Sequence, residues 1–136
     1  MKIKNIWKDV EEPLELHEDD RGVIVDLFYN QPLDHAVMIT SEPNAIRGNH
    51  YHKHLLVLTG SLEYWYKNVG DEGPAKMVVV GRGDMVSTPP NEIHALVIGP
   101  EGNTFMAFAS GARGGKDYES DTFRVDSIIE ESGSFS

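Results

Sequence analysis

Between residues 23 and 108 the chain is a succession of short apolar runs broken by turn-forming residues, and this punctuation restricts the fold more than any other feature. Val23–Tyr29, Ala36–Thr40, Ala45–His52, Leu55–Leu58, Ser61–Tyr66, Lys76–Val80, Met85–Thr88, Ala95–Ile98 and Thr104–Phe108 are each four to eight residues long. Between them lie Gly70-Asp-Glu-Gly-Pro74, Gly81-Arg-Gly-Asp84, Pro89-Pro-Asn91 and Gly99-Pro-Glu-Gly-Asn103. Runs of this length, enriched in β-branched and aromatic residues, read as strands of an all-β sandwich or barrel. Several are apolar at successive positions, which suits strands covered on both faces. No long repeat at helical spacing interrupts them; only Val125 to Glu131 reads as a terminal helical turn or two.

A length of 136 residues accommodates one domain and no second ordinary one. The reading is a single domain over 1–136, its core from about residue 18 to residue 125 and a polar tail over 130–136. The formal charge of -10 argues against sequence-independent binding of nucleic acid and against an anionic membrane surface, both of which need clustered cations. A small anion remains compatible, because a few local cations outweigh a distant, screened net charge. The absence of cysteine excludes disulfides and thiolate metal sites. The start, Met1-Lys-Ile-Lys-Asn-Ile-Trp7, turns polar too early for a signal peptide. No apolar run approaches the roughly 20 residues that span a bilayer. The expected location is the cytoplasm.

Four of the six histidines fall in two short segments. In Arg47-Gly-Asn-His50-Tyr-His52-Lys-His54, His50 and His52 are two apart, so in a strand their imidazoles share a face. The second segment runs from Gly83-Asp84 through the turn at Pro89-Pro90 to His94 near the start of the next strand. Inside a barrel these faces become a pocket wall. Three converging neutral imidazoles suit a divalent transition metal such as Zn, Fe, Ni or Mn, or acid–base chemistry without one.

This pattern resembles the cupin superfamily, whose first motif has two histidines, an acidic ligand and a glycine, here Gly60, and whose second is matched by Gly83, Pro89 and His94. More narrowly, Asp20-Arg-Gly22 and Ile46-Arg-Gly-Asn-His-Tyr-His52 resemble the cupins of nucleotide-sugar metabolism. These are the deoxythymidine-diphosphate-sugar 3,5-epimerases, the 3,4-ketoisomerases and the cupin domain of capsular-sugar reductases. The resemblance implies a double-stranded β-helix, the cupin jelly-roll barrel, and a homodimer paired through edge strands. It also implies isomerisation or epimerisation of a nucleotide-linked keto sugar, with a sugar-type small molecule as ligand. His50 would be the base, His52 a second acid–base or carbonyl-polarising group, and Arg47 a diphosphate clamp. Tyr64 or Tyr66 would supply a phenol, Tyr66 and Lys53 facing the substrate.

In one respect the chain departs from the cupin pattern. Lys53 occupies the usual position of the acidic metal ligand, and an ammonium has no lone pair for a metal. A metal site would therefore use His50, His52 and His94, with His54 as an alternative ligand. Two further readings stay open at this level: a three-histidine metal enzyme that polarises a carbonyl or activates dioxygen, and a ligand-binding cupin without catalysis. Two weaker features are Glu92, close enough to orient an imidazole, and Gly111-Ala-Arg-Gly-Gly-Lys-Asp-Tyr118, a glycine-rich segment with two cations.

Overall fold

A computed structural model describes residues 1–33, 35–52, 56–59, 62–109 and 122–130. The strands are β1 (Lys2–Asn5), β2 (Leu16–Asp19), β3 (Gly22–Val25), β4 (His35–Ser41), β5 (Ile46–Tyr51), β6 (Leu56–Thr59), β7 (Leu62–Asn68), β8 (Lys76–Val80), β9 (Asp84–Thr88), β10 (Glu92–Val97), β11 (Asn103–Ala109) and β12 (Phe123–Arg124). Among the described residues there is no helix.

Two five-stranded sheets carry the fold, in the orders β1-β9-β6-β11-β4 and β12-β5-β10-β7-β8, and β2 and β3 form a separate hairpin. All pairings are antiparallel. From β4 onward successive strands cross between the sheets, except that β7 turns directly into its neighbour β8. That alternation is the jelly-roll winding, in which each sheet is assembled from strands distant in sequence.

The core lies between the sheets. Leu62, Tyr64, Val80, Leu96 and Ile98 come from the β7–β8–β10 side and meet Val86, Phe105, Ala107 and Ala109 from β9 and β11. In β11 the buried residues Phe105, Ala107 and Ala109 fall at a period of two, as a strand covered on one face requires. β7 and β10 differ: Leu62 to Trp65 and Glu92 to Leu96 are buried at every position, so both of their faces are covered. On the outer face of β7, Trp65 Nε1 donates to the buried carboxylate of Glu63 at 3.0 Å.

The structure departs from the sequence reading at the ends of this frame. Lys2–Asn5 pairs with β9, so sheet structure begins well before residue 18. The run Val23–Tyr29 is a strand only to Val25; beyond it Phe28 packs edge-on against Phe108, centroids 4.7 Å apart. No helix forms over 125–130, because the Val125 and Ile128 amides donate instead to the backbone carbonyl and side-chain Oδ1 of Asn49, at 2.9 and 3.0 Å.

Candidate functional site

A break in strand regularity sets the site. Arg47 lies opposite Leu96 and Gly48 opposite Ala95, but His94 faces His50, which leaves Asn49 as an extra residue on β5. Gly48 (φ 91°) and Asn49 (φ 56°) occupy left-handed backbone, which glycine adopts freely and asparagine better than most residues. A Cβ on Gly48 would stand 2.6 Å from the His94 carbonyl oxygen, so the two strands approach this closely only because that atom is missing. The bulge also resets the alternation of β5: Arg47 and His50, three apart in sequence, face two residues of β10 that share its inner side.

The second segment enters through Pro89-Pro90-Asn91, closed by the Glu92 amide donating to the Pro89 carbonyl at 3.3 Å, with Asn91 at φ 66°. The Asn91 amide also donates to the His52 carbonyl at 2.8 Å, which ties the two histidine segments together by main chain.

The rings of His50, His52 and His94 therefore converge. Their centroids are 4.6 Å (His50–His52), 4.8 Å (His50–His94) and 5.3 Å (His52–His94) apart, and one nitrogen from each lies within 4.8 Å of the others. His52 and His94 are buried, whereas His50 is half-buried. His94 Nδ1 is 3.2 Å from the Glu92 backbone carbonyl. A carbonyl only accepts, so Nδ1 carries the proton of the neutral ring and Nε2 keeps the lone pair. Glu92 does orient an imidazole, but through its main chain.

The Glu92 carboxylate is engaged elsewhere. Tyr64, fully buried, donates to its Oε1 at 2.9 Å, and the Met1 ammonium pairs with its Oε2 at 2.7 Å. With its one proton given to Glu92, Tyr64 accepts at 2.7 Å from the Thr88 hydroxyl. Burial, reinforced by the Glu92 charge, pushes the Tyr64 phenol well above its ordinary range. Its ring lies parallel to that of His94, centroids 6.3 Å apart. Thr88 was not singled out from the sequence; its place, immediately before the proline turn and one strand from the histidines, was the available signal.

Tyr66 lies directly opposite His94 on β7 and is half-buried, its ring 5.7 Å from that of Tyr64. Arg47 reaches across to the other sheet: Nε donates to Ser41 Oγ at 2.7 Å and Nη2 to the Thr40 carbonyl at 3.1 Å. Arg21, in the β2–β3 turn, is bonded to Asp19 through Nη2 at 2.6 Å, and holds that carboxyl below its usual range. Lys53, His54 and the glycine-rich segment 111–118 lie outside the described residues.

No protein-family model and no curated protein sequence matches the chain. Solved structures do. A 3,4-ketoisomerase from Helicobacter canadensis matches with a TM-score of 0.68 at 21% identity, over 91% of this chain and 90% of that one. The 3'-monoepimerase ChmJ from Streptomyces bikiniensis, in complex with dTDP-quinovose, matches with a TM-score of 0.64 at 18% identity, over 82% of this chain and 66% of ChmJ. CapF from Staphylococcus aureus, a capsular polysaccharide assembling protein, matches with a TM-score of 0.61 at 18% identity, over 88% of this chain. This chain spans less than two thirds of ChmJ and only 34% of CapF. The jelly roll expected from the sequence is the fold these structures share with the chain.

Proposed function

We propose that the chain isomerises or epimerises a nucleotide-linked keto sugar by histidine acid–base catalysis. The observation that supports this reading is the convergence of His50, His52 and His94, two of them buried and one half-exposed, on the inner face of a jelly roll. The fold's structural neighbours, a ketoisomerase and a sugar epimerase among them, fit the same chemistry.

In this reading His50, the ring an entering ligand meets first, removes the proton from the carbon beside the ketone. The electron pair moves onto the carbonyl oxygen, where an N–H of His52 stabilises the enolate. For the epimer, the Tyr66 phenol in this scheme protonates the same carbon from the other face and is reprotonated from solvent, to which His50 releases the proton it took. For the isomeric ketone, His50 delivers its proton to the former carbonyl carbon, while the hydroxyl on the deprotonated carbon passes its proton to the enolate oxygen and becomes the new ketone. Nothing is oxidised or reduced overall. His94, its tautomer fixed by Glu92, is backed by the Tyr64 ring. Tyr64, its hydroxyl committed to Thr88 and Glu92, acts in this scheme by holding that ring in place and not as the catalytic phenol. Tyr66, half-buried opposite His94, faces the ligand, and Arg47 and Lys53 complete the substrate contacts. The compartment is the cytoplasm, and the assembly a homodimer that covers the apolar hairpin residues Val23 and Ile24.

The metal reading has its own support in the donor set. Three imidazole nitrogens within 4.8 Å are near the about 3.4 Å between ligands that a tetrahedral ion with bonds of roughly 2.0–2.1 Å requires. His50, His52 and His94 would hold such an ion, which would supply Lewis-acid polarisation of a carbonyl.

Incubation with nucleoside-diphosphate 4-keto-6-deoxy sugars, with products identified by NMR, tests the proposal. Turnover is expected to survive a chelator, and His50→Asn to lower kcat about 10²–10⁴-fold, the range of a lost general base. Loss of turnover on chelation, restored by one metal, would favour the metal reading. No turnover by protein that still binds the nucleotide sugar would leave a binding protein.

A further inference from the structure

The outer face of the sheet β1-β9-β6-β11-β4 carries a second cavity, on the far side of β9 from the histidine pocket. On β9, Val86 and Thr88 point inward, the first into the core and the second to the Tyr64 hydroxyl at 2.7 Å. Alternation then turns Met85 and Ser87 outward. Lys4 and Lys2 stand directly opposite them on β1, and opposed residues of antiparallel strands share a face. An outward residue is ordinarily wet, yet Met85 is only 4% exposed. The segment after the β2–β3 hairpin lies over this face. Phe28 packs edge-on against Phe108, and Leu33 joins Met85 in the wall of a cavity of about 430 Å³. That volume suits a small organic molecule, whose sites usually measure about 300–1,000 Å³.

The wall is apolar at Phe28, Leu33 and Met85 and charged at Lys2, Lys4, Glu11 and Glu12. The ammonium groups come from the sheet, the carboxylates from the segment leading into the hairpin. The two signs do not close on one another: among the described residues no ion pair joins either lysine to a carboxylate. Asp9, the remaining acid in the wall, accepts from the Asn5 amide at 2.7 Å. We propose that this cavity binds a free α-amino acid with a large apolar side chain. Its carboxylate meets Lys4, the half-buried and so less hydrated of the two cations, with Lys2 beside it. Its ammonium meets Glu11 or Glu12, and its side chain covers Met85, Leu33 and Phe28. A purely anionic ligand would face the carboxylates unpaired, and a purely cationic one the lysines; a zwitterion satisfies both. None of these residues belongs to the histidine pocket, so the proposal stands apart from the keto-sugar reading.

Protein-observed NMR titration of the intact chain with L-phenylalanine and L-leucine tests this. Glycine lacks the apolar body, and N-acetyl-L-phenylalanine and L-phenylalaninamide each lack one charge. Saturable binding of phenylalanine or leucine at millimolar concentration or below is expected, with shifts centred on Met85 and Leu33. Either singly charged probe should bind about tenfold more weakly, the scale of one lost charge-assisted hydrogen bond, and glycine should not bind. Lys4→Gln should weaken phenylalanine by the same factor and leave the amide, which has no carboxylate, unchanged. Leu33→Trp, which fills the cavity, should abolish binding. Thermal melts keep a folding defect distinct from a binding one, and Lys4→Gln decides the matter alone if Leu33→Trp does not fold. Equal weakening of acid and amide by Lys4→Gln, binding of glycine as tight as that of phenylalanine, or shifts centred on His94 would overturn the assignment. So would the absence of binding by the native chain. If that chain also sediments as a dimer and Leu33→Trp as a monomer, the occupant is a second copy.

Discussion

At Tyr64 the fold holds a neutral phenol between a threonine hydroxyl and a carboxylate, with its ring against His94. Removing the hydroxyl in Tyr64→Phe leaves Glu92 Oε1 and Thr88 short of a partner in a buried place. The expected cost is about 1–3 kcal/mol, read from urea unfolding. The pH dependence follows from the raised folded-state pKa. Below the unfolded value of 10.0 both states carry the proton and the stabilisation is fully present. As pH rises past it, the unfolded chain releases the proton and the folded one keeps it, so stability falls. The gap in melting temperature between the native chain and Tyr64→Phe should therefore narrow above about pH 10. Parallel curves through that region would show that the phenol does not resist ionisation. Tyr64 was legible as a residue of interest, but its commitment to Thr88 and Glu92 was not, because hydroxyl partners come from strands far apart in sequence.

The bulge in β5 is the element on which the histidine spacing depends. Gly48→Ala places a Cβ 2.6 Å from the His94 carbonyl oxygen, on a backbone at φ 91°. It is expected to cost about 1–3 kcal/mol from backbone strain alone. Measured well below its melting temperature, the variant should also lose at least tenfold in activity, because β5 and β10 must part at His50 and His94. Full activity in a destabilised variant would separate the bulge from the site. Most of the element pattern was legible: the apolar runs became strands, and the spacing of His50 and His52 placed them together. The bulge was not, since straight alternation would put Arg47 and His50 on opposite faces; only the register against β10 reveals the extra residue. β1 and β12 escaped for a different reason. Edge strands as short as Lys2–Asn5 and Phe123–Arg124 have no apolar run to announce them, and are defined by the neighbours they join.

Across the whole molecule, the β2–β3 hairpin stands apart from both sheets with Val23 and Ile24 exposed, Ile24 at 70%. A two-stranded hairpin is marginal alone in water, so a second copy packing over it would stabilise both. Sedimentation equilibrium should give twice the chain mass, and Ile24→Asp should shift the population to the single chain. A native chain sedimenting as a monomer at high concentration would contradict this. The jelly roll itself was legible because its strands are announced by turn chemistry, but which copy covers which surface is written in no local pattern. The central claim is that converging imidazoles move a proton next to a ketone. Solvent deuterium entering a nucleoside-diphosphate 4-keto-6-deoxy sugar, followed by proton NMR in D₂O with chelator present, measures that step directly. The expected result is exchange at a carbon adjoining the carbonyl by the native chain, slowed about 10²–10⁴-fold in His50→Asn. Exchange at the same rate in both proteins, or none in either, would contradict it.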